Sequence, residues 1–394
     1  MARITIVKPD FRVTGGFELV MQRVEAELVE QGHSVRWEKV DATLPRRDPY
    51  GLLVPDALWA AAPEYFRYLA MVEAFRSVDV SGADVVISTQ PPSFAAPHER
   101  HLALFSHHLR IYYDLSDAFV GSGFVDDPDL HAECEAAVRS VDQPAMEAVG
   151  WFCAASPEVE RRLRRYNGFG ADKVSQYLAG VAFTREVEEV EGRRAHALCV
   201  SRHEWPKRTE LFVAALGHAP DVQGVLVGSG GRLPWVQTVE ARLARDGVDS
   251  MTPAEMWMNT GLIADPESPP KRSNVRTMGH VPDTTLHELF VDAFCVVAPA
   301  YLEDYGLTAI EAMAYGKPLV VCDDGGGLAD SVTDGVTGFV VEPTPAAIAA
   351  AVKRLRDDPD LAATMGAAAR EAASAYTWKR AMEQIQHGLD RVLA

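Results

Sequence analysis

Short β-branched or apolar runs alternate with longer stretches of helical periodicity along almost this whole chain, and that alternation restricts it to few folds. Strands are expected in the first half at Ile4–Val7, Ser34–Trp37, Asp84–Thr89, Leu102–His107, Trp151–Ser156 and Val174–Leu178. In the second half they are expected at Ala197–Ser201, Val225–Gly228, Val275–Gly279, Phe294–Ala298, Leu319–Cys322 and Gly338–Val341. Helical patterns lie between them, among them Phe17–Gln31, Pro128–Val149, Thr284–Asp292, Ala346–Asp357 and Pro359–Tyr376, with Asp283 expected to cap the third. A crossover helix returns the chain to the same end of the sheet, so this order implies α/β architecture with mainly parallel strands covered on both faces.

The series is interrupted at Thr184–Ala195, where TREVEEVEGRR is charged and aperiodic and reads as a linker over 185–195. At 394 residues the chain is long enough for two domains of nearly equal size on either side of it. Ligands of doubly wound sheets bind beyond the carboxyl ends of the strands, so the informative residues should follow strands. Two stretches, Thr43–Pro63 and Asp246–Arg272, read as insertions to which the sequence assigns no role.

Composition removes several classes of function. A formal net charge of −18 opposes nucleic acid and, on average, an anionic membrane surface. No apolar run reaches the roughly 18–20 residues that span a bilayer, and MARITIVKPD enters a strand without a signal-peptide pattern, which implies a cytoplasmic protein. Of the five cysteines, Cys153, Cys199, Cys295 and Cys322 sit in apolar runs and Cys134 in a helical one; with no C-x-x-C pair they read as buried hydrophobes. The triplets Asp127/Asp129 and Asp358/Asp360 open helices, where aspartate caps, so neither metal nor cofactor is expected.

Four places carry chemistry. Gly15 and Gly16 precede an amphipathic helix, and together they are either a plain turn or an anion site at the helix's positive end. VLVGSGGRL departs from a dinucleotide fingerprint, because Leu233 stands where the third glycine is needed. Arg202 and Lys207, following a strand, are either a solvated basic turn or a clamp on a diphosphate leaving group. In VAPAYLEDYGLTAIEAMAYGKPLVVCDDGGG, Glu303 lies in a loop after a strand and Glu311 in the following helix; such carboxylates accept hydrogen bonds from sugar diols. Backbone N–H groups over Asp304, Tyr305, Gly306 and Leu307 are placed to meet anions or sugar oxygens.

From Val275–Gly279 through Glu303, Gly306, Glu311, Gly316, Pro318 and Asp334–Gly335 to Gly338–Phe339, the chain resembles the retaining glycosyltransferases of family four. The resemblance implies the GT-B fold: two doubly wound Rossmann-like domains facing a central cleft, with a C-terminal helix returning to the first. The domains would be 1–184, on the acceptor side and joined by 379–394, and 196–378, binding the nucleotide-sugar donor. Glu311 would then hold the ribose, Glu303 the transferred sugar, and Arg202 and Lys207 the diphosphate, with Gly15 and Gly16 donating from their helix end. In FSHHLRIYYDLSD the family's histidine near the anomeric centre corresponds to His107, or to His108 with a shift of one residue.

The expected activity is metal-independent, retaining hexosyl transfer to a small-molecule or glycan acceptor. Asp114, Asp117, Asp126, Asp127 and Asp129 form an acidic strip that suits a cationic or neutral soluble acceptor. The resemblance has gaps: Leu178–Ala182 lacks the family's Asn and Asp, and Asp304 stands where glycine is common. The competing readings are a silent nucleotide-sugar-binding accessory protein and a phosphorylase or epimerase of the same architecture.

Overall fold

The computed structural model describes residues 1–12, 15–43, 47–180, 194–259 and 273–394. They form two compact units, Met1–Ala182 with Thr377–Ala394, and Phe183–Tyr376.

The first unit is built on six parallel strands: β1 (Arg3–Asp10), β2 (Ser34–Asp41), β3 (Val85–Ser88), β4 (His101–Phe105), β5 (Trp151–Ala154) and β6 (Val174–Gln176). Their order is β2-β1-β3-β4-β5-β6, which reverses direction between β1 and β3. VVIS, HLALF and WFCA are buried at every position, as strands covered on both faces must be. The helix Gly16–Glu30 covers the sheet with Val20, Met21, Val24 and Leu28, an i, i+1, i+4, i+8 stripe that buries one face.

The helix Trp378–Leu393 ends the chain in this unit. It buries Ala381, Met382, Ile385, Gly388 and Leu389 against β4 and β5, and each large apolar side chain contributes about 1.5–3 kcal/mol of burial. Gly388 permits the contact, since a Cβ there would lie 2.7 Å from Cys153 Sγ. Gln384 Oε1 accepts the Leu178 N–H at 2.9 Å, fixing the helix to the end of the first sheet's chain.

The second unit repeats the plan with β7 (His196–Val200), β8 (Gly224–Val227), β9 (Val275–Met278), β10 (Ala293–Ala298), β11 (Leu319–Cys322) and β12 (Gly338–Val341). The order is β12-β11-β10-β7-β8-β9, all parallel, reversing between β7 and β10. All twelve expected strands are present, and all five cysteines are free and buried.

The differences are local. Strand β4 stops at Phe105, where its pairing with β5 ends at Ala154, so His107 lies in the loop beyond. Asp283 does not cap the helix Asp283–Asp292: the extended Pro282 takes the cap position, leaving Asp283 in the first turn, where its charge meets the positive helix end. Residues 185–193 of the expected linker, and parts of both insertions, lie outside the described residues. Within what is described, the first insertion carries a helix at Asp56–Ala61 and the second one at Pro253–Trp257.

Candidate active site

At the switch point of the second sheet, the loops after β7, β8, β10 and β11 are tied together. Beyond β7 comes Ser201–Glu204 and then a 3-10 turn, Trp205–Lys207. His203 is buried there: its ring nitrogens contact Thr209 Oγ1 at 3.0 Å and the Gly228 carbonyl at 3.2 Å, and burial pulls its pKa down. The glycines of VLVGSGGRL make room for that loop. A Cβ on Gly228 would lie 1.9 Å from the Ser201 carbonyl oxygen, and one on Gly230 would lie 2.4 Å from that of His203. Close backbone approach, with φ of 134° and 158°, explains these glycines without a dinucleotide.

Lys207 closes the turn and its ammonium donates to Glu303, with both side chains largely shielded from solvent. Glu303 is held through its backbone: its N–H donates to the Gly325 carbonyl at 2.9 Å, and its carbonyl accepts the Gly327 N–H at 2.8 Å. The next residue, Arg208, which in the sequence merely adjoins the expected clamp, turns inward with a left-handed φ of 46°. Its Nη1 donates to Asp324 Oδ2 at 2.8 Å and its Nε to the Pro299 carbonyl at 2.9 Å. One buried guanidinium therefore joins the loops after β7, β10 and β11.

Gly306, left-handed at φ 80°, caps the helix Leu307–Ala314, and a Cβ there would meet Leu328 Cδ2 at 2.4 Å. The N–H groups of Leu307 and Thr308 open that helix with no acceptor among the described residues. Asp304 and Tyr305 lie half-buried just before it, Tyr305 edge-on to Tyr376 at 6.3 Å. In the second turn, Glu311 has no side-chain hydrogen bond among the described residues, and burial, with the charge of Asp283 adding, pushes its carboxyl up to about 7. Arg202 is exposed and without an ion-pair partner among the described residues. The structure thus joins Lys207 to Glu303 and leaves Arg202 and Glu311 unpaired among the described residues.

In the first unit, Gly15 is the N-cap of the helix Gly16–Glu30, and its N–H donates to Glu18 Oε2 at 3.1 Å. Glu18 in turn pairs with the buried Lys8 at 3.1 Å, so a carboxylate of the chain already meets this helix end. His107 is part-exposed, with Nδ1 against the His108 carbonyl at 2.7 Å. His108 is buried: it stacks on Tyr113 at 4.2 Å, contacts Asn167 Oδ1 at 2.8 Å, and burial lowers its pKa to about 4.

Two residues of the expected acidic strip are engaged within the chain. Asp114 is enclosed between Arg110 and Arg162, and the Arg162 contact measures 3.1 Å. Asp127 caps the helix Pro128–Ala148, as Asp358 caps Pro359–Ala373. Sequence reasoning missed Arg208, Asp324 and Trp257, and only the opposite charges flanking β7 and β11 signalled the first two. Among the described residues no group of three His, Cys, Asp or Glu side chains could hold a metal, and no helix is long and apolar enough to cross a membrane.

Residues 267–372, which include Glu303 and Glu311, match the family model "Glycosyl transferases group 1". Over 108 residues, 27% of this chain, the sequence is 43% identical to the D-inositol 3-phosphate glycosyltransferase of Streptomyces avermitilis. Over this segment the chain is similar to the group 1 glycosyltransferases. The matched stretch spans only 23% of that relative's length.

The likeness in fold extends further than the likeness in sequence. Sucrose-phosphate synthase from Thermosynechococcus elongatus superimposes with a TM-score of 0.69 at 19% identity, covering 98% of both chains. HepE of Anabaena, solved in complex with UDP-glucose, gives 0.62 at 16% identity, covering 99% of both. The architecture is GT-B. Arg202, Lys207 and His107 lie outside the matched segment.

Proposed function

We propose that this protein is a retaining glycosyltransferase that moves a hexosyl group from a nucleoside-diphosphate sugar to an acceptor hydroxyl. The observation that carries the reading is the Lys207–Glu303 pair at the switch point, followed by a helix whose opening N–H groups and Glu311 carboxyl have no partner among the described residues. A cation, free N–H donors and an unpaired carboxyl are what a diphosphate, sugar oxygens and a ribose diol require. The HepE structure with UDP-glucose supports the same class of donor.

In this reading Glu311 accepts from the ribose hydroxyls, Glu303 contacts the transferred sugar, and Arg202 and Lys207 bind the diphosphate. Asp304, Tyr305, Gly306 and Leu307 line the sugar and phosphate oxygens, and Asp304 restricts which sugar fits. As the bond from anomeric carbon to phosphate oxygen breaks, charge grows on the diphosphate and the two cations stabilise it; removing either raises the barrier by roughly 2–4 kcal/mol. The acceptor oxygen attacks from the face the leaving group departs, and a phosphate oxygen takes its proton, so configuration is retained with neither a protein nucleophile nor a metal. By position in the family motif, His107 contacts the sugar near its anomeric carbon and Gly15–Gly16 meet the donor phosphate, with Gly15 the weaker because its N–H already donates to Glu18. We propose a soluble small-molecule or glycan acceptor.

The test is calorimetric titration of UDP, GDP, ADP and dTDP into the wild type and Glu311→Ala. Binding of one nucleotide, weakened by the substitution, is expected, and it names the donor to screen for transfer. Binding of none of the four would overturn the donor site.

A further inference from the structure

The insertion after the helix Leu233–Asp246 carries a short helix, Pro253–Trp257, whose last residue reaches the candidate site. The Trp257 indole lies flat on Trp205, with centroids 4.6 Å apart and planes 8° apart. The two residues also exchange hydrogen bonds. Trp205 Nε1–H donates to the Trp257 carbonyl at 3.0 Å, and Trp257 Nε1–H donates to the Trp205 carbonyl at 2.8 Å. Trp205 opens the three-residue turn that Lys207 closes. On its other side Trp257 meets Tyr301 edge-on at 4.9 Å, and the Tyr301 N–H donates to the Pro206 carbonyl at 2.7 Å, two residues before Glu303.

Trp257 is itself fixed from behind. Arg232 Nη2 donates to the Met256 carbonyl at 2.8 Å and the Met258 carbonyl at 3.2 Å, and Trp235 Nε1–H donates to Met256 at 2.6 Å. Arg232 pairs in turn with the fully buried Glu210 at 3.1 Å. A chain of contacts therefore runs from Glu210 through Arg232, Trp257 and Trp205 to the turn bearing Lys207, and through Tyr301 to the loop bearing Glu303.

We infer that Trp257 is a positioning residue of the donor site, holding through Trp205 the turn that sets Lys207 against Glu303. The inference rests on the reading of that pair given under Proposed function. A lysine on a three-residue turn has four rotatable side-chain bonds and little local structure to restrain it, so an external clamp decides where its charge sits. If Trp257 only filled space, a phenyl ring would serve, because it keeps the stack. The indole N–H is what a positioning role adds.

The test is acetylation of Lys207 with acetic anhydride in the ligand-free full chain, read by peptide mass mapping against the exposed Lys379, in the wild type, Trp257→Phe, Trp257→Ala and Glu303→Gln. Freed of its clamp, Lys207 should be acetylated about fivefold faster in Trp257→Phe, the effect of one lost hydrogen bond, and faster still in Trp257→Ala and Glu303→Gln. A wild-type rate in a Trp257→Phe protein with wild-type circular dichroism and melting overturns the inference, and that variant decides even if Trp257→Ala fails to fold. The labelling needs no donor, so failure of all four nucleotides to bind sinks the donor site without touching the clamp. If one nucleotide binds, Trp257→Phe should weaken it about fivefold; unchanged affinity beside faster labelling overturns the donor-site part of the inference.

Discussion

Arg208 holds Asp324 with two nitrogens of its guanidinium while Trp257 and Tyr301 lie 5.5 and 5.4 Å from its charge. The pair is a structural joint between two strand-end loops, its guanidinium buried beside the aromatic rings and its carboxylate partly exposed. Asp324→Ala leaves an uncompensated buried cation and should lower stability by about 3–5 kcal/mol. Arg208→Lys cannot reproduce the fork and should also destabilise. Guanidinium unfolding followed by tryptophan fluorescence measures both, and an unchanged midpoint in Asp324→Ala would refute the joint.

The carboxyl of Glu311 is raised from its ordinary value to about 7, so the folded protein holds this proton where the unfolded chain has released it. Bound protons in the folded state in excess of the unfolded make stability fall as pH rises from the ordinary carboxyl range to about 7. Glu311→Gln should remove that slope and exceed the wild type in stability above pH 7, as melts in a pH series would record. Ribose hydroxyls favour the charged carboxylate, so nucleotide affinity should rise with pH through the same range. Titration in buffers of different ionisation enthalpy should show proton release near pH 6; its absence would separate Glu311 from the nucleotide.

His107 and His108 should part company on mutation. His107→Ala removes a part-exposed ring and should leave the melting temperature within a few degrees of wild type while cutting transfer by about 10²-fold. His108→Ala empties a buried, stacked site and strands Asn167, costing about 2–4 kcal/mol. Because the folded His108 stays neutral down to about 4, it withdraws stability as pH falls below 6.5. Asp142, raised to about 7 by burial, acts in the opposite direction over an overlapping range. Hence the difference between His108→Phe and wild type, not either curve alone, should grow in the variant's favour from pH 6.5 towards 4.

Gly228→Ala should be far worse than an ordinary glycine substitution. Its Cβ would overlap the Ser201 carbonyl oxygen at 1.9 Å with φ at 134°, so the loop bearing His203 would have to move. A loss of more than about 3 kcal/mol, or no soluble protein, is expected. Gly231→Ala, with nothing near its Cβ, serves as the control, and equal melting of the two variants would refute the packing account.

The sequence by itself determined the twelve strands, because the inner ones are short apolar runs buried on both faces, while edge strands such as β2, β6 and β9, only partly buried, still stand between helical patterns and polar turns. It also determined the E-x7-E context of Glu303 and Glu311, since strand, glycine turn and helix are contiguous in the chain. Tertiary structure decided which charges meet. Lys207 and Glu303 are 96 residues apart and Arg208 and Asp324 are 116 apart, so no local pattern pairs them; the sheet order does, by placing β7, β10 and β11 side by side. The same holds for the choice between adjacent histidines. His107 and His108 are indistinguishable as letters, and the end of strand pairing at Phe105 sends the second ring into the core and leaves the first outside it. Trp257 is the extreme case: an aperiodic insertion carries no pattern to read, and only the folded chain brings its indole onto Trp205.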